Sequence, residues 1–327
     1  MLLLSILVAC ETASSCEQLD QEICIQGQFD ARGVSANAEG GWIAGSALTD
    51  VRVLNGESYT AGGLVIAWDE YGDTVWSFEG DGITSVESTE TGLWLGTDAG
   101  QALYLEQGEV LETLDIGDTA VRDLQLTEDG LYAVTETELV TPWGGTWDSS
   151  SFEPHTLAVH GELILLGGEP LSSFEEASAG GAAVLALTED LDFAWVYARE
   201  GQLSGMVAGD AGIFAAGPMD GDLWLDRVGD GVRDGGSAWG ETGQEGVHSM
   251  ALVDDRVRLS GWTIAPEGVI PWLEWRSSTG GLQGHDELAP PELMAIPTAV
   301  DFAADGAVVA LEIGVADDPA TSVIFAD

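Results

Sequence analysis

The sequence predicts an all-β chain folded as a single β-propeller of seven four-stranded blades. Three observations predict it. After about residue 30 a short unit recurs seven times, with turn residues at 41, 92, 130, 161, 212, 255 and 306. Their mean step is about 44 residues, inside the ~40–50 residue period of four-stranded propeller blades. Within each unit, apolar and polar residues alternate between Gly and Asp turns, the pattern of hairpins. Beyond the first residues, no stretch sustains a helical period.

The elements follow in chain order. Met1 to Ala9 is apolar apart from Ser5 and ends at Cys10. At nine residues it falls far short of the ~20 needed to span a bilayer. It is read as a signal segment (residues 1–9). Its apolar core is short and lacks a basic leader, as expected if the native start lies further upstream. Residues 10–22, acidic and rich in Ser/Thr, are read as a linker, and 23–327 as the propeller. Cys16 and Cys24 are expected to pair as a short-loop disulfide in an exported chain.

Next comes a spare strand, Ile23 to Phe29, before the first unit. Each unit then supplies a second strand, such as Trp42-Ile-Ala-Gly, Leu93-Trp-Leu-Gly or Ile213-Phe-Ala-Ala-Gly. A third strand, an acidic turn and often a Trp-bearing fourth strand follow. Leu64-Val-Ile-Ala-Trp68 leads to Trp76, Ala183-Val-Leu-Ala-Leu187 to Trp195, and Leu223-Trp-Leu225 to Trp239. The last unit stops at a third strand, Thr321 to Asp327. The spare N-terminal strand is therefore expected to complete that blade and remove an open edge.

Composition excludes several functions. The chain has 57 Asp+Glu against 9 Lys+Arg, all nine of them Arg, for a formal charge of −48. Such a surface repels nucleic-acid backbones and anionic lipid. Hydrophobic residues at 45% and 12 Trp supply a core, which excludes disorder. Asp69, Asp73, Glu128, Asp129, Glu189, Asp190, Asp254, Asp255 and Asp305 fall at expected turns, so much of the charge is read as solvating.

Two resemblances rest on particular residues. Leu7-Val-Ala-Cys10 resembles the lipobox of bacterial lipoproteins, which implies lipidation at Cys10. Units such as Gly63-Leu-Val-Ile-Ala-Trp-Asp-Glu-Tyr-Gly-Asp-Thr-Val-Trp76 resemble the repeats of the quinoprotein-like (PQQ-like) propeller superfamily. Members include quinone-dependent dehydrogenases and lipoprotein scaffolds of outer-membrane assembly. This chain lacks the adjacent Cys-Cys pair of some dehydrogenases and a clear set of cofactor ligands, so the resemblance implies the scaffold form. It also implies that Trp76 and Trp195 dock blade on blade. Glu11 after Cys10 is not the Asp that resembles an inner-membrane retention signal, which implies the outer membrane.

One position recurs at the start of the strand that would line the central channel. Ten residues separate Val121 from Leu131 and Val247 from Val257, and the residue that follows the first of each pair is Arg122 or His248. The same position falls on His155, Thr84, Ser204 and Thr298. All six are polar in a chain with only nine Arg and four His, so they are the candidate ligand-binding ring at the channel mouth. A second candidate is the acidic, Gly-rich segment holding Asp226, Asp230 and Asp234, whose carboxylates suit a hard cation such as calcium although the spacing is not that of an EF-hand. No nucleophile elbow, zincin, P-loop or dinucleotide motif occurs. The expected protein is thus a monomeric, lipid-anchored binding or scaffold module of the bacterial outer membrane. It would be non-catalytic, need no cofactor other than a possible calcium ion, and take an envelope protein or glycan as partner, reaching the membrane only through its anchor. The alternatives are an enzyme (hydrolase, lyase or oxidoreductase) with its site at the channel mouth, and a calcium-dependent adhesin.

Overall fold

A computed structural model describes residues 23–37, 39–53, 56–172, 179–240, 244–303, 306–314 and 320–326. The signal segment 1–9, Cys10, the linker 10–22 and Cys16 lie outside these residues, as does Asp305. The chain forms seven antiparallel sheets around one axis; five are built from consecutive strands, and the first and last share the N-terminal strand and a hairpin between them. We number them blades 1 to 7. Their inner strands are Phe29–Asn37, Ile83–Ser88, Val121–Thr127, Phe152–His160, Gly205–Gly209, Gln244–Val253 and Ala295–Ala303. Among the described residues the one helical element is a single 3-10 turn, Pro291–Leu293.

The burial of each strand follows its place in the blade. Third strands are covered on both faces by their own and neighbouring blades, so they read as continuous apolar runs rather than alternating ones. Leu64 to Trp68 and Ala182 to Leu187 are buried throughout. Outer strands border solvent and are half-exposed, as in Thr74–Gly80. The core is split among the blade interfaces. Ala44 and Val65 of blade 1, for instance, pack with Ile83, Leu93, Leu95 and Leu105 of blade 2, with Trp76 and Phe78 laid against them. Trp195 closes the interface of blades 4 and 5 in the same way. Acidic turns are built as expected: Asp69 Oδ1 accepts from the amides of Tyr71 (2.9 Å) and Asp73 (3.1 Å).

The ring closes through the N-terminus. Ile23–Gln26 pairs antiparallel with Ala320–Ala326, the third strand of blade 7, in the register Ile23↔Val323 to Gln26↔Ala320. Phe29, read from sequence as part of this strand, belongs instead to the inner strand of blade 1, because Gly27 turns the chain at positive φ between them. A hairpin from blade 1, Val51–Val53 and Ser58–Tyr59, adds outside the closing strand and widens that sheet to six strands. Cys24 is fully buried and disulfide-bonded; its partner lies outside the described residues.

Candidate functional site

The channel mouth is built by a repeated backbone irregularity. In six of the seven inner strands the pairing with the second strand slips by one residue: between Ala31 and Gly33, Ile83 and Ser85, Val121 and Asp123, Pro154 and Thr156, Val247 and Ser249, and Pro297 and Ala299. The skipped residues are Arg32, Thr84, Arg122, His155, His248 and Thr298. A bulge leaves one residue out of the ladder and re-aims its side chain. In blade 5 the counterpart, Ser204, stands directly before the strand, its amide bonded to Ala216 O at 2.9 Å.

The local sequence explains the bulges. The glycine that ends many second-strand motifs sits opposite them, where the bulged backbone comes close. A Cβ at Gly45 would lie 2.2 Å from Asp30 O, and at Gly261 it would lie 2.3 Å from Gly246 O. Contacts that short are not tolerated, so glycine at these positions permits the bulge.

All six residues singled out from sequence line one cavity of about 450 Å3 on the propeller axis, and Arg32 joins them as the seventh blade's contribution. Sequence reasoning missed Arg32 by placing the first turn at Gly41. The positive-φ residue is Gly40, and counting eight back from it reaches Arg32, as counting eight back from Gly130 reaches Arg122.

The mouth carries both signs of charge. Arg122 pairs with Glu136 and lies 3.9 Å from Glu153, and Arg32 pairs with Asp30. Thr84 Oγ1 donates to Val121 O of the next blade at 2.5 Å. Two carboxylates, also missed from sequence, strap successive inner strands together. Glu87 Oε1 of blade 2 accepts from the Leu126 amide of blade 3 at 3.2 Å and from Gln125 Nε2 at 3.3 Å. Asp123 of blade 3 accepts from the Leu157 amide of blade 4 at 2.7 Å and from its own neighbour Leu124 at 2.9 Å. Burial, only partly offset by these bonds, pushes Asp123 up to about 6; burial, with the nearby Asp123 charge adding to it, pushes Glu87 up to about 7. Burial lowers His248 below its ordinary value, against a backbone hydrogen bond with Thr298 that raises it.

These shifts fix a pH dependence. Both carboxyls are raised above their ordinary values of 4.5 and 3.8, so the folded chain holds protons that the unfolded chain releases. The stability they contribute is full below about pH 4 and is lost as pH rises through about 6 to 7. Glu87→Gln keeps an acceptor for both bonds and removes the charge. Thermal melts of this variant should show a flatter fall between about pH 5 and pH 8 and a gain on the order of 2 kcal/mol over wild type at the alkaline end. An unchanged profile would refute the assignment.

The structure does not bring the three carboxylates of the acidic segment together. Asp226 is fully buried and enclosed by the chain's own groups: Tyr197 OH donates to Oδ2 at 2.6 Å, Arg199 pairs with the same oxygen, and Arg233 Nε lies 2.7 Å from Oδ1 without hydrogen-bond alignment. Asp230 occupies the turn at positive φ, and Asp234 lies at the surface, 3.8 Å from Arg227. No group of three or more His, Cys, Asp or Glu among the described residues is arranged to hold a metal ion. The arginines that break up the acidic run in sequence neutralise it in space.

Solved structures share this fold. BamB from Moraxella catarrhalis, a PQQ-like propeller, is 13% identical, with 95% of each chain covered and a TM-score of 0.51. The computationally designed Ika8 protein is 13% identical over 93% of this chain and 98% of that one, with a TM-score of 0.56. A chain of the mitotic checkpoint complex is 12% identical over 96% and 90%, with a TM-score of 0.60. At these identities the likeness is one of fold. No protein-family model and no curated protein matches the chain.

Proposed function

We propose that this propeller is a non-catalytic binding module of the bacterial cell envelope, tethered to the outer membrane by lipid on Cys10, whose partner engages the channel mouth. One observation carries the reading. Every blade places one polar side chain at the same axial position, six of the seven on bulges, and four of the thirteen Arg and His in a chain of charge −48 meet there. Solvation alone does not require scarce basic residues at one spot, whereas recognition of a polar or acidic group on a partner does. The lipoprotein reading rests on Leu7 to Cys10, and the scaffold reading on the repeat resemblance and the fold shared with BamB.

A second reading, an enzyme at the same mouth, is favoured by one fact. Glu87 and Asp123, with values raised to about 7 and about 6, face one cavity beside His155, and raised carboxyls of this kind are suited to general acid catalysis.

The test is affinity capture from solubilised envelope, run in parallel with the wild-type chain and the Arg122→Ala/His248→Ala variant. Metabolic palmitate labelling, with Cys10→Ser as control, reports on the anchor. We expect a partner held by wild type and lost by the double variant, and labelling abolished by Cys10→Ser. Identical capture by both chains would overturn the channel-mouth reading. Chemical conversion of the captured molecule, abolished by Glu87→Gln, would favour the enzyme.

A further inference from the structure

Blade 6 is longer than the blade it packs on. Its second and third strands, Arg256–Ala265 and Gly268–Ser277, have ten residues each, whereas those of blade 5, Gly212–Met219 and Asp222–Gly229, have eight. The overhang leaves a cleft of about 570 Å3 between the two blades, within the ~300–1,000 Å3 range of small-ligand sites. It is separate from the channel mouth and shares none of its lining residues.

One side of the cleft is apolar: Leu223 and Trp239 of blade 5 face Ile270 and Trp272 of blade 6. The Trp272 indole is fixed, its Nε1 donating to Thr263 Oγ1 at 3.1 Å. The other side is a charged network. Arg276 is 4% exposed and Glu274 7%. Arg276 Nε donates to Glu274 Oε2 at 2.9 Å, Nη1 donates to Gly280 O at 3.0 Å, and the guanidinium stacks 3.3 Å from the Trp239 ring centre. His285 Nδ1 lies 3.3 Å from Glu274 Oε1, and that carboxylate holds the imidazole above its ordinary value. A buried Arg–Glu pair is a poor way to stabilise a fold, because apolar side chains of the same size commonly do as well or better. Its position in the wall of an open cleft, beside aromatic rings, is the arrangement of a recognition site.

The mixture of groups selects the ligand. An anion would meet Glu245, Glu274 and Glu287, and a cation would meet Arg276 and His285. A neutral molecule with many hydroxyls satisfies both, donating to the carboxylates and accepting from guanidinium and imidazole, while an apolar C–H face lies toward Trp239 and Ile270, which are half-buried. We propose that the cleft between blades 5 and 6 binds a neutral saccharide.

The experiment is a glycan array of neutral and charged oligosaccharides, followed by calorimetric titration of the strongest hit. His285→Gln and Glu287→Gln are the variants, since both residues lie at the exposed rim and leave the core intact. The expected result is a neutral glycan whose affinity falls at least about tenfold in each variant, with unchanged melting temperatures. Arg122→Ala at the channel mouth should leave that affinity unaltered, which separates this inference from the proposed function. It is overturned if only charged glycans or none bind, if binding survives both rim substitutions, or if only Arg122→Ala abolishes it.

Discussion

Removal of residues 1–26 is expected to leave a chain without a cooperative propeller unfolding transition, whereas removal of 1–22 alone should lower the melting temperature far less. Ile23, Cys24 and Ile25 are each at most 4% exposed. Burying two isoleucines contributes about 1.5–3 kcal/mol apiece. The loss does not stop there. Val51, Val53 and Tyr59 are buried on the hairpin that pairs with the closing strand, in one cluster with Ile23 and Ile25. Together these terms are on the order of 5–10 kcal/mol, comparable to the whole stability of ~5–15 kcal/mol of an ordinary domain. The exposed third strand of blade 7, with Val323 and Ile324, would then offer an apolar edge to other copies. Light scattering alongside calorimetry should register that aggregation.

The register supplies the control. The closing strand is antiparallel to Ala320–Ala326, and Ile23 pairs with Val323 near the C-terminal end of that strand. Moving residues 21–28 behind Asp327 through a short glycine turn therefore makes an ordinary hairpin with the same pairs. This permuted chain should recover most of the lost melting temperature. If it does not, the N-terminal segment matters for some reason other than closure.

Most of the fold was legible because a propeller repeats. Seven Gly or acidic turns at similar spacing fix seven hairpins whatever the loops between them do, and the missing fourth strand of the last unit points to the spare strand at the start. The ring was legible for the same reason: Arg122 and His248 stand at the same spacing from the second-strand motifs that begin at Leu131 and Val257. What failed was register. Placing one turn at Gly41 rather than Gly40 shifted the first blade by a residue, and in a strand a shift of one exchanges the faces, so Arg32 dropped out. Glu87 and Asp123 were invisible among 57 acidic residues, because their distinction is which backbone amides of the next blade they reach. The cleft of blades 5 and 6 depends on a two-residue difference in strand length, within the usual uncertainty of strand ends read from sequence.

Asp226 tests the difference between a carboxylate that solvates and one that holds blades together. It sits on the third strand of blade 5, and its strongest partners, Tyr197 and Arg199, lie on the outer strand of blade 4. The Arg199 guanidinium also lies 4.8 Å over the Trp224 ring, so its removal from water is shared between a carboxylate and an aromatic face. Asp226→Ala takes away the charge that compensates a largely buried arginine. The expected cost is about 3–5 kcal/mol, the range for breaking a buried pair by deleting one partner. For a chain of this size that lowers the melting temperature by roughly 6–15 °C. Asp226→Asn keeps the volume and one acceptor and should fall between. A second readout is spectroscopic. Burial, the hydrogen bond to Asp226 and its negative charge hold Tyr197 up at about 12. In Asp226→Asn one of the five tyrosines should therefore ionise closer to the ordinary value of about 10 in an alkaline ultraviolet titration. Asp230→Ala and Asp234→Ala, at the surface of the same acidic run, should each change stability by less than about 0.5 kcal/mol. Equal effects at all three positions, with calcium raising the wild-type melting temperature, would instead mean that the three carboxylates act as one cation site.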